Sequence, residues 1–135
     1  MRLIGGCYCG ALRYESTGEP MLRAQCHCRA CQHFAGGAPQ YFMLMPAGAF
    51  SYTKGSPRKF TRDDLPAPVT REFCGACGTH LITRRPGLDQ VIIKIGTLDD
   101  PGQFKGPKIA IFCEDKQPFH VIPEGLPQFE TLPNR

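Results

Sequence analysis

The sequence feature that most constrains this chain is a run of three cysteines within six residues, Cys26-His27-Cys28-Arg29-Ala30-Cys31. A disulfide between neighbouring cysteines of this run would close a very small and strained ring. One divalent metal ion, by contrast, can bind all three sulfur atoms from a single tight turn. Three protein ligands with a fourth position left open are typical of a catalytic zinc site. The alternative is a structural site whose fourth ligand comes from elsewhere in the chain.

Two further cysteine pairs lie on either side of this run. Cys7 and Cys9 form a C-x-C step between glycines, and Cys74 and Cys77 form a C-x2-C step with a glycine after each cysteine, which is typical of a zinc knuckle. Neither pair can complete a tetrahedron alone. We therefore expect all four to form one structural zinc site, whose binding energy contributes to folding.

Length and composition predict one globular domain spanning residues 1–135. Hydrophobic residues make up 41% of the 135 residues and charged residues 21%, as in ordinary globular chains. The sequence has no apolar run long enough for a membrane span, and its start lacks the apolar segment of a secretory signal. We therefore expect a cytoplasmic protein, in which the eight cysteines stay reduced and bind metal rather than form disulfides.

The positive charge of the chain does not favour a nucleic-acid partner. The formal charge of +4 counts every cysteine as neutral. Seven thiolates holding two Zn²⁺ ions would lower it to about +1. The basic residues are also scattered, with only two adjacent pairs, at 58–59 and 84–85, which indicates a solvated surface rather than a phosphate-binding track.

The pattern of apolar residues predicts a mostly β fold of many short antiparallel strands, with at most one or two short helical turns. Segments 11–16, 21–25, 38–45, 50–53, 58–62, 80–83, 90–95 and 108–113 have the composition of strands. A short helix is expected over residues 29–35, ended by Gly36-Gly37. The proline-rich remainder predicts an irregular tail anchored by Phe119, Leu126 and Phe129.

Three stretches of the chain together resemble the glutathione-dependent formaldehyde-activating enzyme family, whose domain also occurs in centromere protein V. The stretches are Gly6-Cys7-Tyr8-Cys9-Gly10, Cys26-His27-Cys28-Arg29-Ala30-Cys31 and Phe73-Cys74-Gly75-Ala76-Cys77-Gly78-Thr79. Their order and spacing agree from about residue 3 to about residue 129. Seven cysteines in three correctly ordered groups make this a specific signature.

The resemblance implies a β-tent fold with two zinc ions per chain. It implies that Cys7, Cys9, Cys74 and Cys77 hold the structural zinc, and that Cys26, Cys28 and Cys31 hold a second, catalytic zinc near the substrate. The activity it implies is that of a carbon–sulfur lyase of the S-(hydroxymethyl)glutathione synthase type, which joins glutathione to formaldehyde. The expected partners are therefore a small thiol and a small aldehyde.

The chain also departs from the family pattern near the expected substrate site. Many members carry a His and later a Pro-Trp in the C-terminal part, whereas here residues 109–113 lack the His and Pro118-Phe119 stands in place of Pro-Trp. Gln32 follows Cys31 where Arg is frequent. These differences concern the substrate more than the fold, so an enzyme acting on another thiol or carbonyl compound is a further interpretation.

Chemistry at the second cysteine group follows from its charge. A zinc ion held by three thiolates carries a net charge of about −1, which suits it to bind a substrate thiol as thiolate rather than to generate hydroxide. His27, as a fourth ligand or acid–base group, and Arg29 and His33, which helical spacing places on one face, are candidates for nearby roles. Cys113 is the one cysteine that belongs to none of the three groups.

The alternative function is a non-catalytic, zinc-stabilised module that binds a protein or nucleic acid.

Overall fold

A computed structural model of the chain describes residues 1–133, and within that range it consists of ten short β-strands, one α-helix and four 3₁₀ turns. The strands are β1 (Arg2–Gly6), β2 (Arg13–Thr17), β3 (Leu22–Cys26), β4 (Gln40–Pro46), β5 (Phe50–Lys54), β6 (Arg58–Thr61), β7 (Thr70–Phe73), β8 (His80–Arg84), β9 (Gln90–Lys94) and β10 (Ile109–Ile111). The helix α1 is Arg29–Phe34, and the 3₁₀ turns are Ala47–Ala49, Ile95–Thr97, Pro101–Phe104 and Cys113–Asp115.

The strands form two sheets of unequal size. The small sheet has the order β1-β2-β5, and the large one has the order β10-β3-β4-β9-β8-β7-β6. All neighbouring strands are antiparallel except β10, which pairs in parallel with β3. The chain leaves the large sheet after β4 to add β5 to the small sheet and then returns, so the two sheets are interleaved in sequence.

The two faces of the large sheet have different surroundings, because successive side chains of a strand point to opposite faces. One face packs on the small sheet, and the main core there includes Met43, Met45 and Ile93 together with Leu3 and Tyr14 of the small sheet. The other face carries a second apolar cluster built on Ala24, Cys26, Cys31, Phe42 and Ile111. Phe129 and Leu132 of the tail pack against this second cluster, which lines the site described below.

The mostly β fold predicted from the sequence is confirmed, with three local differences. Strands β1 and β7 were not predicted. Two of the five residues of β1 are glycines, and only Leu3 and Ile4 are apolar. The last strand pairs in parallel rather than antiparallel fashion. Phe129 anchors the tail as expected, but the expectation for Phe119 was wrong, since its side chain is 71% exposed.

Within residues 1–133 the structure contains no helix with the length and apolar character needed to cross a membrane.

Candidate metal centres and the adjoining groove

The first cysteine group lies where a turn of the small sheet meets a turn of the large sheet. Cys7 and Cys9 occupy the turn between β1 and β2, which is closed by the Cys7 N–H donating to the Leu12 carbonyl. Cys74 and Cys77 occupy the turn between β7 and β8, where Gly78 has a positive φ of 80° that favours glycine. All four sulfur atoms lie within 4.8 Å of one another.

The geometry of this group fits a tetrahedral metal ion. Four sulfurs at about 2.3 Å from one zinc ion would be about 3.8 Å apart, and here the Cys7–Cys9 and Cys9–Cys74 sulfur separations are 3.6 and 3.8 Å. Backbone N–H groups point at the sulfurs, with Leu12 donating to Cys7 at 3.2 Å and Ala76 to Cys74 at 3.4 Å. Such donors favour the thiolate form that binds metal. All eight cysteines are free of disulfides.

The second cysteine group is assembled by the junction of β3 and α1. Cys26 ends β3, and Cys28 is the N-cap of α1, where its sulfur accepts from the Cys31 N–H at 3.2 Å. The three sulfurs lie within 4.8 Å of one another, and no other metal-binding side chain among the described residues belongs to this group. Hydrogen bonds from the other two thiols and from the Cys31 N–H lower the pKa of Cys28, although burial opposes this. The group thus offers three soft donors and leaves room for a fourth.

The second group opens into a groove of about 830 Å³, which lies on the face of the large sheet that carries the second apolar cluster. Its floor follows the strand register, with Leu44 opposite Ile92 and Ile92 opposite Thr83. Leu132 and Pro133 of the tail line one side of the groove, and Pro86 and Leu88 line another. The volume is within the range of pockets that bind small molecules.

Two cations beside the sulfurs were not predicted from the sequence. Lys94 and Arg71 both line the groove with the three cysteines. Lys94 is 7% exposed, and its Nζ lies 5.9 Å from the centre of the Phe42 ring. Burial lowers the pKa of Lys94 to about 8, while the Cys31 sulfur opposes this shift. In the sequence, Lys94 lies near the end of an apolar segment, and nothing in that pattern predicts that its side chain is buried beside the cysteine sulfurs.

His27 is turned away from the sulfurs into a buried network with His120. Its Nδ1 lies 2.9 Å from His120 Nδ1, and its Nε2 lies 3.0 Å from the Gln25 side-chain nitrogen. His120 Nε2 donates to the Gly37 carbonyl at 2.7 Å, and His120 Nδ1 accepts from the Gln117 N–H at 3.2 Å. His27 Nδ1 is therefore the donor to His120 Nδ1. Both ring nitrogens of His27 therefore have protein partners. The network positions the loop between Cys26 and Cys28 and gives no support to His27 as a fourth ligand.

The remaining sequence candidates lie outside the groove. Arg29 is exposed and donates to the Gln32 side chain. His33 is exposed and lines a separate pocket of about 280 Å³. Cys113 is half-buried in a 3₁₀ turn and belongs to neither cysteine group. His80 accepts from or donates to Thr83 at 3.2 Å, and burial lowers its pKa to about 3.

Comparison with known proteins bears on the family and the fold of the chain. Residues 2–115 match the sequence model of a family described as glutathione-dependent formaldehyde-activating enzyme. A Halomonas elongata protein, whose name assigns it provisionally to the same enzymes, is 25% identical over 122 residues, covering 86% of this chain and 78% of that protein. The crystal structure of a Rhodobacter sphaeroides protein is similar with a TM-score of 0.60 and 16% identity, covering 79% of this chain and 97% of that chain. The last similarity concerns the fold alone.

Proposed function

The chain belongs to the glutathione-dependent formaldehyde-activating enzyme family, and on this premise we propose that it is a zinc-dependent carbon–sulfur lyase of the S-(hydroxymethyl)glutathione synthase type. Its substrates would be a small thiol such as glutathione and a small aldehyde such as formaldehyde. The observation that carries the proposal is the position of the three-cysteine group in the wall of a groove large enough for both.

The two cysteine groups would have different functions. Cys7, Cys9, Cys74 and Cys77 supply four donors and would hold a coordinatively complete, structural zinc. Cys26, Cys28 and Cys31 supply three, which suits a zinc with one position free for substrate. Thiolate donors are the soft ligands that select zinc. When bound, the second zinc would lower the pKa of a substrate thiol, so that its sulfur would be held as a thiolate near neutral pH.

The protein's own residues would prepare the groove for this chemistry. Lys94 and Arg71 place two positive charges beside the sulfurs, and these charges favour an additional thiolate. The apolar floor at Phe42 and Ile92 excludes water from the sulfur, which strengthens these interactions. The pairing of His27 with His120 fixes the loop that carries Cys26 and Cys28.

The proposed reaction forms one carbon–sulfur bond without any oxidation or reduction. An electron pair of the substrate sulfur attacks the carbonyl carbon, and the π electrons of the carbonyl bond move to its oxygen. That oxygen then takes up one proton, which replaces the proton that the thiol lost. The reverse sequence breaks the carbon–sulfur bond and releases the aldehyde and the thiol.

The test combines metal analysis with a measurement of exchange. We expect elemental analysis and X-ray absorption on protein purified without chelator to find two zinc ions per chain, one with four sulfur ligands and one with three sulfurs and a lighter or exogenous ligand. NMR exchange spectroscopy of glutathione with ¹³C-formaldehyde should show faster exchange between free and adduct carbon when the protein is added. Cys28→Ser should lower this acceleration at least about tenfold, whereas Cys113→Ser should retain it.

Two results would contradict the proposal. A second zinc closed by four protein ligands would favour the non-catalytic binding module instead. Exchange that is unchanged by the zinc-loaded protein, or equal in Cys28→Ser and the wild type, would rule out the lyase activity for these substrates.

A further inference from the structure

The floor of the groove is apolar, but other residues that line the groove are positively charged. Phe42, Leu44 and Ile92 form part of the floor on adjacent strands, with Leu44 paired to Ile92. Three cations, Arg71, Arg85 and Lys94, also line the groove, and none of its lining residues within the described chain is acidic. A ligand that fits this surface therefore combines an apolar body with negative charge.

Among the three cations, Lys94 is the one that a negatively charged ligand would stabilise most. It sits on the apolar face of β9 beside Ile92, opposite Phe42 on β4, and only 7% of it is exposed. Its ammonium makes no salt bridge or hydrogen bond to any other residue of the described chain; it lies over the face of the Phe42 ring and lines the groove together with the three cysteines. A buried ammonium that makes no hydrogen bond is costly even when opposite charges lie nearby. An anionic group of a ligand in the groove would remove that cost.

The balance of charges indicates how many negative groups the ligand carries. With a zinc ion bound, the three thiolates and the metal together carry about −1. Against the three lining cations, this leaves an excess of about +2 before a ligand binds. A thiolate sulfur supplies one negative charge, and one further anionic group such as a carboxylate balances the groove.

The apolar floor adds a requirement on the body of the ligand. A wholly polar thiol would place polar groups against the surfaces that Leu44, Ile92 and the tail residue Leu132 present to the groove. Each methylene group placed on such a surface contributes to binding through the hydrophobic effect. We propose that the groove binds a thiol that carries a carboxylate on an apolar chain, and that Lys94 receives the carboxylate and determines this specificity. The inference rests on the proposed function in one respect, namely that the second cysteine group holds the thiol of the substrate.

The test measures binding rather than turnover. Isothermal titration calorimetry of the zinc-loaded protein would compare 8-mercaptooctanoate with 8-mercaptooctanol, which lacks the charge, and with 3-mercaptopropionate, which lacks most of the chain. We expect 8-mercaptooctanoate to bind at least about tenfold more tightly than either. Lys94→Met should abolish the preference for the acid over the alcohol, and Lys94→Arg should restore part of it. Lys59→Met, which removes an exposed lysine of β6, is the matched control and should keep the full preference.

Zinc content and melting temperature of each variant separate a loss of specificity from a loss of metal or fold. If Lys94 only offsets the charge of the zinc centre, Lys94→Met will weaken the acid and the alcohol equally, and the proposal is wrong. Equal binding of the acid and the alcohol by the wild type, or tighter binding of 3-mercaptopropionate, would also overturn it.

Octanoate, which has no thiol, distinguishes this inference from the proposed function. If octanoate binds as tightly as 8-mercaptooctanoate and depends on Lys94, the carboxylate site is supported and the thiol-binding function is contradicted. If the thiol group adds affinity but the carboxylate adds none, the lyase proposal stands and the role of Lys94 is wrong.

Discussion

At the scale of single residues, the pairing of His27 with His120 joins the second cysteine loop to a tail residue 93 positions away. Both rings are buried, and His27 Nδ1 donates to His120 Nδ1, which also accepts from the Gln117 N–H at 3.2 Å. Gly37, at the end of the loop after α1, depends on His120 for its carbonyl hydrogen bond. The tail is therefore part of the support of the thiol loop rather than an appendage.

This pairing predicts the effect of His120→Ala. The substitution leaves the His27 Nδ1–H and the Gly37 carbonyl without their partner, so we expect the free energy of unfolding to fall by about 1–3 kcal/mol. We also expect faster release of the zinc bound by Cys26, Cys28 and Cys31 to a chromogenic chelator. Urea unfolding of the zinc-loaded protein and the time course of chelation measure the two effects.

The control for this prediction is His33→Ala, which removes an exposed histidine of the same neighbourhood. Its unfolding free energy should stay within about 0.5 kcal/mol of the wild type. Equal stability and equal chelation rates for the two variants would show that the buried pair does not support the loop.

At the scale of elements, β1 approaches the 3₁₀ turn Ile95–Thr97 so closely that only glycine fits at one position. A Cβ atom at Gly5 would lie 2.2 Å from the Thr97 backbone oxygen and 2.5 Å from the Tyr14 hydroxyl. We expect Gly5→Ala to destabilise the protein by about 1–3 kcal/mol, since the strand must move away from the turn. Gly48→Ala is the matched control, because a Cβ there meets nothing within 4 Å. Thermal unfolding followed by circular dichroism compares them, and equal melting temperatures would contradict the prediction.

A second element-scale contact joins the two sheets through Tyr52 of β5. Its hydroxyl donates to Glu72 of β7 at 2.9 Å, and Arg84 of β8 donates to the other carboxylate oxygen at 2.6 Å. Tyr52→Phe removes a donor from a carboxylate that is 1% exposed, so we expect a loss of about 1 kcal/mol. Tyr41→Phe is the control, since the Tyr41 hydroxyl has no hydrogen-bond partner among the described residues. Urea titration would contradict the prediction if both variants lost the same stability.

Which elements could be predicted depends on how local their signals are. The helix α1 and most strands follow from short apolar patterns and glycines, so the sequence predicts them well. The parallel pairing of β10 with β3 joins residues more than eighty positions apart and has no local signal. The cysteine groups are recognisable because their ligands come in closely spaced pairs and triplets. Lys94 and His120 acquire their positions only through the register of the large sheet and the path of the tail, so no local sequence pattern selects either.

At the scale of the whole molecule, the first cysteine group connects the two sheets at one end of the structure. The turn carrying Cys7 and Cys9 is also held to the β7–β8 turn by the Tyr8 N–H, which donates to the Thr79 hydroxyl at 3.1 Å. The second group lies within one sheet and its adjoining helix. Loss of the first metal ion should therefore affect the entire fold, whereas loss of the second should affect mainly the groove.

This difference predicts losses of stability of different size for two cysteine substitutions. Cys77→Ser should lower the free energy of unfolding by at least about 3 kcal/mol, because it would weaken the binding of the proposed structural zinc, whose binding energy would stabilise the folded state. Cys28→Ser should lower the zinc content from two ions to one and abolish thiol binding, with a smaller loss of stability. Cys113→Ser, which alters a cysteine outside both groups, should retain two zinc ions and wild-type stability. Metal analysis combined with urea unfolding tests all three, and a larger loss of stability in Cys28→Ser than in Cys77→Ser would reverse the assignment of structural and substrate-binding sites.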